Sequence, residues 1–379
     1  MIHSIYHLLA ACARAECDPA QQHHLVHAAE QVTTWDALPT QAQMHGLAPL
    51  AYRHLRAANV TLPRTVQRDL NALAIQSRLA SQTNLKVLGE IVREYQVAGI
   101  RVLMLKGAAL NYLLYPEPGL RPMRDLDLLV SRADLERAQL LLGEMGFSAP
   151  MTFAGRHAEH RHLSAATLHR DGYVIEVELH HNLFEPGASP ILMGLPDLTC
   201  PPISFSLGTA DLVGWTLGYA DMLWHLCQHL VESTNVFSSV NLIWVADIVS
   251  FAERFQTQID WAQVKRQYPI VLSTLALLHF LTPLSGDLVR RAQLTLGLEP
   301  PGMWDDFQKS PRTTPEDQMQ QDYRQTLRHA ANPSAWWLRL HYGLGSARPL
   351  RWHHWLAHWM YLARRLIHVR RRQARLRES

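Results

Sequence analysis

Apolar residues recur in short helical groupings from Ile2 to about Arg78, interrupted by turn signals at Thr33-Thr34-Trp35 and Thr61-Leu62-Pro63. A stronger amphipathic pattern runs from about Gln82 to Val97, where Leu85, Leu88, Ile91 and Val92 fall at helical spacing and Ala98-Gly99 supplies a stop. Ile100-Arg-Val-Leu-Met-Leu105 then reads as a buried strand, Lys106-Gly107 as a tight turn and Ala108 to Leu114 as a short helix. Past the loop at Pro116-Glu-Pro118-Gly119 the period changes to two, and Asp125-Leu-Asp-Leu-Leu-Val130 predicts a strand. Ser131 predicts the cap of a helix carrying Leu135, Ala138, Leu141, Leu142 and Met145 as far as Gly146. Tyr173 to His180 alternates again, with Ile175, Val177 and Leu179 on one face and Glu176, Glu178 and His180 on the other. After the prolines between Pro186 and Pro202 the pattern is helical, most clearly over Asp211 to Val231 and Val240 to Phe255. No internal repeat or low-complexity tract is visible.

Runs of strand pattern confined to the middle, between helical flanks, predict an α+β protein with large helical N- and C-terminal regions. The expected division is residues 1–78, 79–200 and 201–379, and 379 residues at 47% hydrophobic content are enough for two or three cores. No stretch combines a basic flank, a long apolar segment and a small-residue cleavage site, and no apolar run approaches the ~20 residues of a membrane span, so a cytoplasmic protein without a transmembrane segment is expected. Cys12, Cys17, Cys200 and Cys227 form no Cys-x-x-Cys, which suggests reduced thiols in place of a disulfide framework or a thiolate zinc site.

The chemistry gathers around residues 105–130. Residues two apart on a strand lie on one face, about 6.6 Å apart along it, so Asp125 and Asp127 share a space while Leu126, Leu128 and Val130 face the other way. Two carboxylates in so apolar a strand carry a desolvation cost of roughly several kcal/mol each unless a cation or basic partner offsets it. With Leu105-Lys106-Gly107 some twenty residues upstream, the layout is that of a metal-dependent phosphoryl or nucleotidyl transfer site. Gly107 lets a backbone approach phosphates and opens a helix whose N–H groups favour an anion. Lys106, one of only four lysines with Lys86, Lys265 and Lys309, adds a point charge for a β or γ phosphate.

Three segments, Val102-Leu-Met-Leu-Lys-Gly107, Arg121-Pro-Met-Arg-Asp-Leu-Asp-Leu-Leu-Val130 and Val177-Glu-Leu-His180, together resemble the bacterial uncharacterised nucleotidyltransferases, a branch of the DNA polymerase beta-like nucleotidyltransferase superfamily. A weaker echo covers Leu223 to Leu230 and Leu242-Ile-Trp-Val-Ala-Asp247. The resemblance implies that residues 79–200 form a nucleotidyltransferase core, a small mixed β-sheet with helices packed on one face, and that Asp125, Asp127 and Glu178 are both metal ligands and catalytic acids. These would hold two Mg²⁺ ions, or Mn²⁺, which bridge the triphosphate and the attacking hydroxyl. It also implies an NTP substrate, an NMP group as cargo and a hydroxyl-bearing acceptor that the sequence does not identify. Where the superfamily's phosphate-binding turn is Gly-Ser, this chain has Lys106-Gly107. That departure motivates the alternative of a noncatalytic binding or regulatory module on the same fold. Retention of the three acids opposes the alternative, because a degenerate site has no physical reason to keep like charges together.

Other polar residues leave their roles open. Arg121 and Arg124 either contact nucleotide phosphates or neutralise the acidic pair. Glu176 shares the face of Glu178 and competes for the third-acid position, and His180 is either a group behind the metal ligands or a hydrogen-bonded structural histidine. His157-Ala-Glu-His160-Arg-His162 lacks the helical order of a zinc motif and is not read as one. Asp221, His225 and His229 form one helical stripe, solvated or internally bonded unless it closes over the site. From Arg364 onward the chain carries seven arginines against Glu378 alone, following Trp352, Trp355, Trp359 and Tyr361. Such a segment suits an anionic membrane surface or nucleic acid; the expectation is a helix packed by its Trp and Leu face with a solvated tail.

Overall fold

The protein, seen as a computed structural model, is described over residues 2–151, 161–185, 189, 191–208, 211–234, 240–301, 303–304 and 331–363. Four short helices, α1 (Ile2–Ala11), α2 (Pro19–Glu30), α3 (Leu38–Met44) and α4 (Ala48–Ala57), lead to the long α5 (Arg64–Val97). Then come β1 (Val102–Met104), α6 (Lys106–Leu113), β2 (Asp125–Val130), α7 (Leu135–Glu144), β3 (Ala166–Arg170), β4 (Tyr173–His180), β5 (Ile203–Ser206) and β6 (Val213–Thr216). The helices α8 (Tyr219–Ser233), α9 (Leu242–Arg254), α10 (Trp261–Gln267), α11 (Pro269–Leu278), α12 (Gly286–Arg291) and α13 (Ala335–His341) follow.

The six strands form one mixed sheet in the order β3-β4-β2-β1-β6-β5. β2 lies antiparallel to β1 and parallel to β4, while β6 joins β1 in parallel, so the first and last strands in chain order meet at Met104 and Thr216. β2 is buried along its length except at Asp125, which is why its sequence reads as nearly continuous apolar residues. One buried core runs from the N-terminal helices through the sheet to α11 and α12. Tyr95 on α5 ties that helix to α7 by donating its hydroxyl to the carbonyl of Ala138 at 3.0 Å. No helix among the described residues is long and apolar enough to cross a membrane.

Three elements differ from the sequence expectation. The helix expected from Gln82 begins at Arg64, because between Leu70 and Ser81 it buries no side chain and so loses its apolar stripe. This stretch instead presents Leu73, Gln76, Ser77 and Ala80 to a cleft. The helix expected from Asp211 starts only at Tyr219; Val213–Thr216 ahead of it is strand β6, with alternating exposure and a hairpin to β5. Gly214 permits that strand, since a Cβ there would stand 2.3 Å from the Met104 methyl carbon. Ser131 caps a turn rather than the helix itself, exchanging hydrogen bonds with Asp134, and α7 begins at Leu135.

Candidate functional site

Register decides which side chains meet. In the parallel pairing of β2 with β4, Asp125 stands opposite Glu176, Asp127 opposite Glu178, and Leu129 opposite His180. Laterally paired residues project from the same face, so the acidic side of β4 lies along the acidic side of β2. Asp127, Glu178 and His180 form a group whose ligand atoms all lie within 4.8 Å of one another. Glu176, in the middle of β4, is exposed and does not belong to this group. Asp125 is part-buried at the start of β2 and lines the same cleft.

A carboxylate as deeply buried as Asp127, 2% exposed, needs compensation. It receives two donors on a single oxygen. Lys106 Nζ donates to Oδ1 at 3.0 Å and His180 Nε2 donates to the same atom at 2.8 Å. The carboxylate oxygen can only accept, so His180 carries its proton on Nε2 in this contact. Oδ2 has no hydrogen-bond partner among the described residues. Burial pushes the Asp127 carboxyl up, but the Lys106 charge and the His180 hydrogen bond outweigh it and hold it well below the usual range. Its ionised state in turn raises Asp125 to about 6, with burial of Asp125 adding to the effect and Lys106 opposing it. Burial also pushes Glu178 up; the His180 hydrogen bond and the His162 charge prevail over that and over the repulsion from Asp127, leaving Glu178 below its ordinary value.

Lys106 reaches Asp127 because β1 ends at Met104 and α6 begins at once. The turn requires φ of +43° at Lys106, a left-handed conformation that costs a non-glycine residue on the order of 1–3 kcal/mol. At Gly107 the space of a Cβ is already occupied: it would lie 2.1 Å from Arg121 Nη1 and 2.9 Å from both Arg121 Cζ and Met123 Cγ. Arg121 cannot readily yield, because its Nε and Nη2 grip Asp247 of α9 at 3.0 and 2.8 Å and Tyr115 donates to the same carboxylate at 2.7 Å. The guanidinium that the sequence offers to phosphates or to the acidic pair is thus engaged by Asp247, while Arg124 is exposed on the cleft wall. The single signal for Asp247 in the sequence was its place in the Leu242–Asp247 echo.

The cleft holds about 500 Å³ and is closed by three parts of the chain, a size typical of small-molecule sites. Lys106, Asp125, Asp127 and Glu178 form one wall; Gln43, Met44, Gln76 and Ser81 come from the N-terminal helices; His229, Ser233, Asn241 and Trp244 come from α8, α9 and the connection between them. Of the stripe Asp221, His225 and His229, it is His229 that lines the cleft. Asp221 accepts from the backbone N–H of Thr199 and Cys200 and from the Tyr268 hydroxyl, which pins the approach to β5. Burial first and the Lys106 charge second depress His225 and His229 well below the ordinary histidine value. His162 lies tilted against His180, with ring centroids 5.0 Å apart; His157 and His160 lie outside the described residues. Sequence periodicity placed the acids but gave no signal for Trp244 or the α3 side chains as cleft walls.

Residues 31–281, well over half of the chain, match the family described as Uncharacterised nucleotidyltransferase. The crystal structure of an antigenic nucleotidyltransferase-like protein from Paracoccidioides brasiliensis is similar at 17% identity and a TM-score of 0.35, covering 57% of this chain and 95% of that chain. No curated protein matches.

Proposed function

Since the chain belongs to the uncharacterised nucleotidyltransferase family, we propose that its cleft moves a nucleoside monophosphate unit from a nucleoside triphosphate to a hydroxyl group, with a divalent cation as cofactor. The observation that carries this reading is the β2–β4 register, which sets Asp127 beside Glu178 at the wall of a nucleotide-sized cleft. The donor set fits the cation. Two carboxylates within 4.8 Å, one with an oxygen left unpaired, suit Mg²⁺, which prefers one or two carboxylates plus phosphate oxygens and waters. The same carboxylates suit Mn²⁺ as well.

Asp125, Asp127 and Glu178 hold the metal, most simply as a pair of ions. When bound, the metal stabilises charge on the entering and leaving oxygens of an in-line displacement. Lys106 directs its ammonium group at the β and γ phosphates, and Gly107 keeps the backbone low at the start of α6. Arg124 meets phosphate oxygens from the exposed side, while Arg121 holds the loop between α6 and β2 in place through Asp247. Glu178, whose side chain is 24% exposed, is the group placed to take the proton of the acceptor hydroxyl as that oxygen attacks the α phosphorus and pyrophosphate departs. His180 steadies both Asp127 and Glu178 through one nitrogen, 2.8 and 3.4 Å from them.

Incubating the protein and Mg²⁺ with cell extract and NTP labelled at either the α or the γ phosphate tests the reading. Covalent label is expected from the α position alone and is expected to vanish in Asp127→Asn. Label from the γ position would indicate a kinase, and none from either position would support a noncatalytic module.

A further inference from the structure

We propose that the C-terminal helix over residues 352–363 is a docking element for the surface of an anionic phospholipid bilayer. This surface lies outside the cleft, and the inference is independent of the transfer reaction. The helix divides its large apolar side chains between two faces. Trp355 and Leu362 pack with Trp337 and Leu338 of α13, and the buried His358 lies edge-on to Trp337 at 5.2 Å. The sequence expectation of a helix packed by its Trp and Leu face holds for Trp355 and Leu362, but a second face carries further Trp and Leu side chains outward. Trp352, Leu356, Trp359 and Met360, at positions i, i+4, i+7 and i+8, are 75%, 48%, 53% and 48% exposed.

Most other exposed apolar side chains among the described residues are scattered singly or in pairs, as is normal for a protein surface. These four make a continuous stripe with two tryptophans in it, which is the chemistry of a bilayer interface: indole rings at the headgroup level and aliphatic groups beneath them.

Charge selects the kind of bilayer. Although acids and bases nearly balance over the whole chain, no aspartate or glutamate occurs between Asp322 and Glu378, an interval with twelve arginines. Arg348 and Arg351 are exposed at the start of the helix, and Arg364 and Arg365 follow its last described turn. A cationic interval with no acid of its own calls for anions from outside, and lipid phosphates supply them directly beneath the apolar stripe. Nucleic acid would satisfy the arginines and stack on the tryptophans, but it offers nothing to Leu356 and Met360. A second copy of the chain would bring the same positive charge to the contact.

The test is sedimentation of the full-length protein with vesicles of phosphatidylcholine alone and with about a third of phosphatidylglycerol added. Binding is expected only to the anionic vesicles, reversed by high salt. A Trp352→Ser/Leu356→Ser/Trp359→Ser variant is expected to bind about tenfold more weakly, with an unchanged thermal transition because these side chains are exposed. Arg370→Gln/Arg371→Gln/Arg372→Gln, which alters no described packing, is expected to weaken binding as well, and tests the proposal even if the first variant misfolds. The proposal is overturned if anionic vesicles do not bind the protein or bind the stripe variant equally well. It is also overturned if single-stranded RNA displaces the vesicles and still binds the stripe variant, or if the protein forms a dimer that this variant abolishes.

Discussion

Asp125 and Asp127 share a strand face yet place opposite demands on the folded state. Asp127 has Lys106 and His180 on one oxygen, whereas the proximity of Asp127 raises Asp125 to about 6. With its folded pKa above the ordinary value of 3.8, Asp125 stabilises the protein fully at pH values below that, and the contribution is lost as pH rises through about 6. Asp125→Asn is accordingly expected to stabilise the metal-free protein at pH 7.5, by up to about 2–3 kcal/mol, while weakening divalent-cation binding. Asp127, held low, contributes in the other direction: its stabilisation is complete at neutral pH and lost on acidification. Asp127→Asn strips Lys106 of its partner and is expected to destabilise by about 1–3 kcal/mol. Thermal unfolding in the presence of a chelator measures both, and a destabilising Asp125→Asn would contradict the electrostatic picture. The pair was legible in the sequence because period two fixes which strand residues share a face. The unequal sharing of Lys106 and His180 was not, since it depends on side-chain reach across strands.

At the scale of elements, the turn from β1 into α6 is the least replaceable piece. Gly107→Ala would drive a methyl group into Arg121, which Asp247 holds from the far side. The expected cost is about 2–4 kcal/mol of stability, from overpacking together with a disturbed buried ion pair, read as a lower denaturation midpoint. Arg124→Gln, on an exposed side chain, is expected to leave stability unchanged and weaken nucleotide binding about tenfold, the loss of one charge-assisted phosphate contact; equal affinity in a direct titration would remove Arg124 from the site. Glycine in this turn was readable as a close approach, but the approaching group was not, because Asp247 lies far along the chain and only α9's packing brings it in. The same holds for β5 and β6. Their four-residue strands give too few periods for alternation to be distinguished from a helix, and the β5–β6 hairpin joins the sheet only through Met104, more than a hundred residues earlier. The hidden first half of α5 has a complementary cause: the residues that lack an apolar stripe line the cleft.

Over the whole molecule, the N-terminal helices and the helices after the sheet converge on that cleft, and His45 marks the seam between them. It is fully buried at the end of α3, its carbonyl accepts from Ile243 N–H of α9 at 3.1 Å, and burial pushes its imidazole down to about 4. The unfolded chain takes up this proton near pH 6.5, so the stability associated with His45 is intact above that pH and lost as pH falls toward 4, about 3 kcal/mol in all. A His45→Leu variant is expected to show a flatter fall in melting temperature over this interval; a slope identical to wild type would place the acid sensitivity elsewhere. On the proposed function, the β2 and β4 acids make nucleotide binding depend on a divalent cation. Calorimetric titration of a non-hydrolysable NTP analogue into the full-length protein, with Mg²⁺, with Mn²⁺ and with chelator, tests it most directly. Binding is expected with either metal, none with chelator, and loss of binding in Asp127→Asn; equal affinity with chelator, or in the variant, would rule out a metal-dependent site.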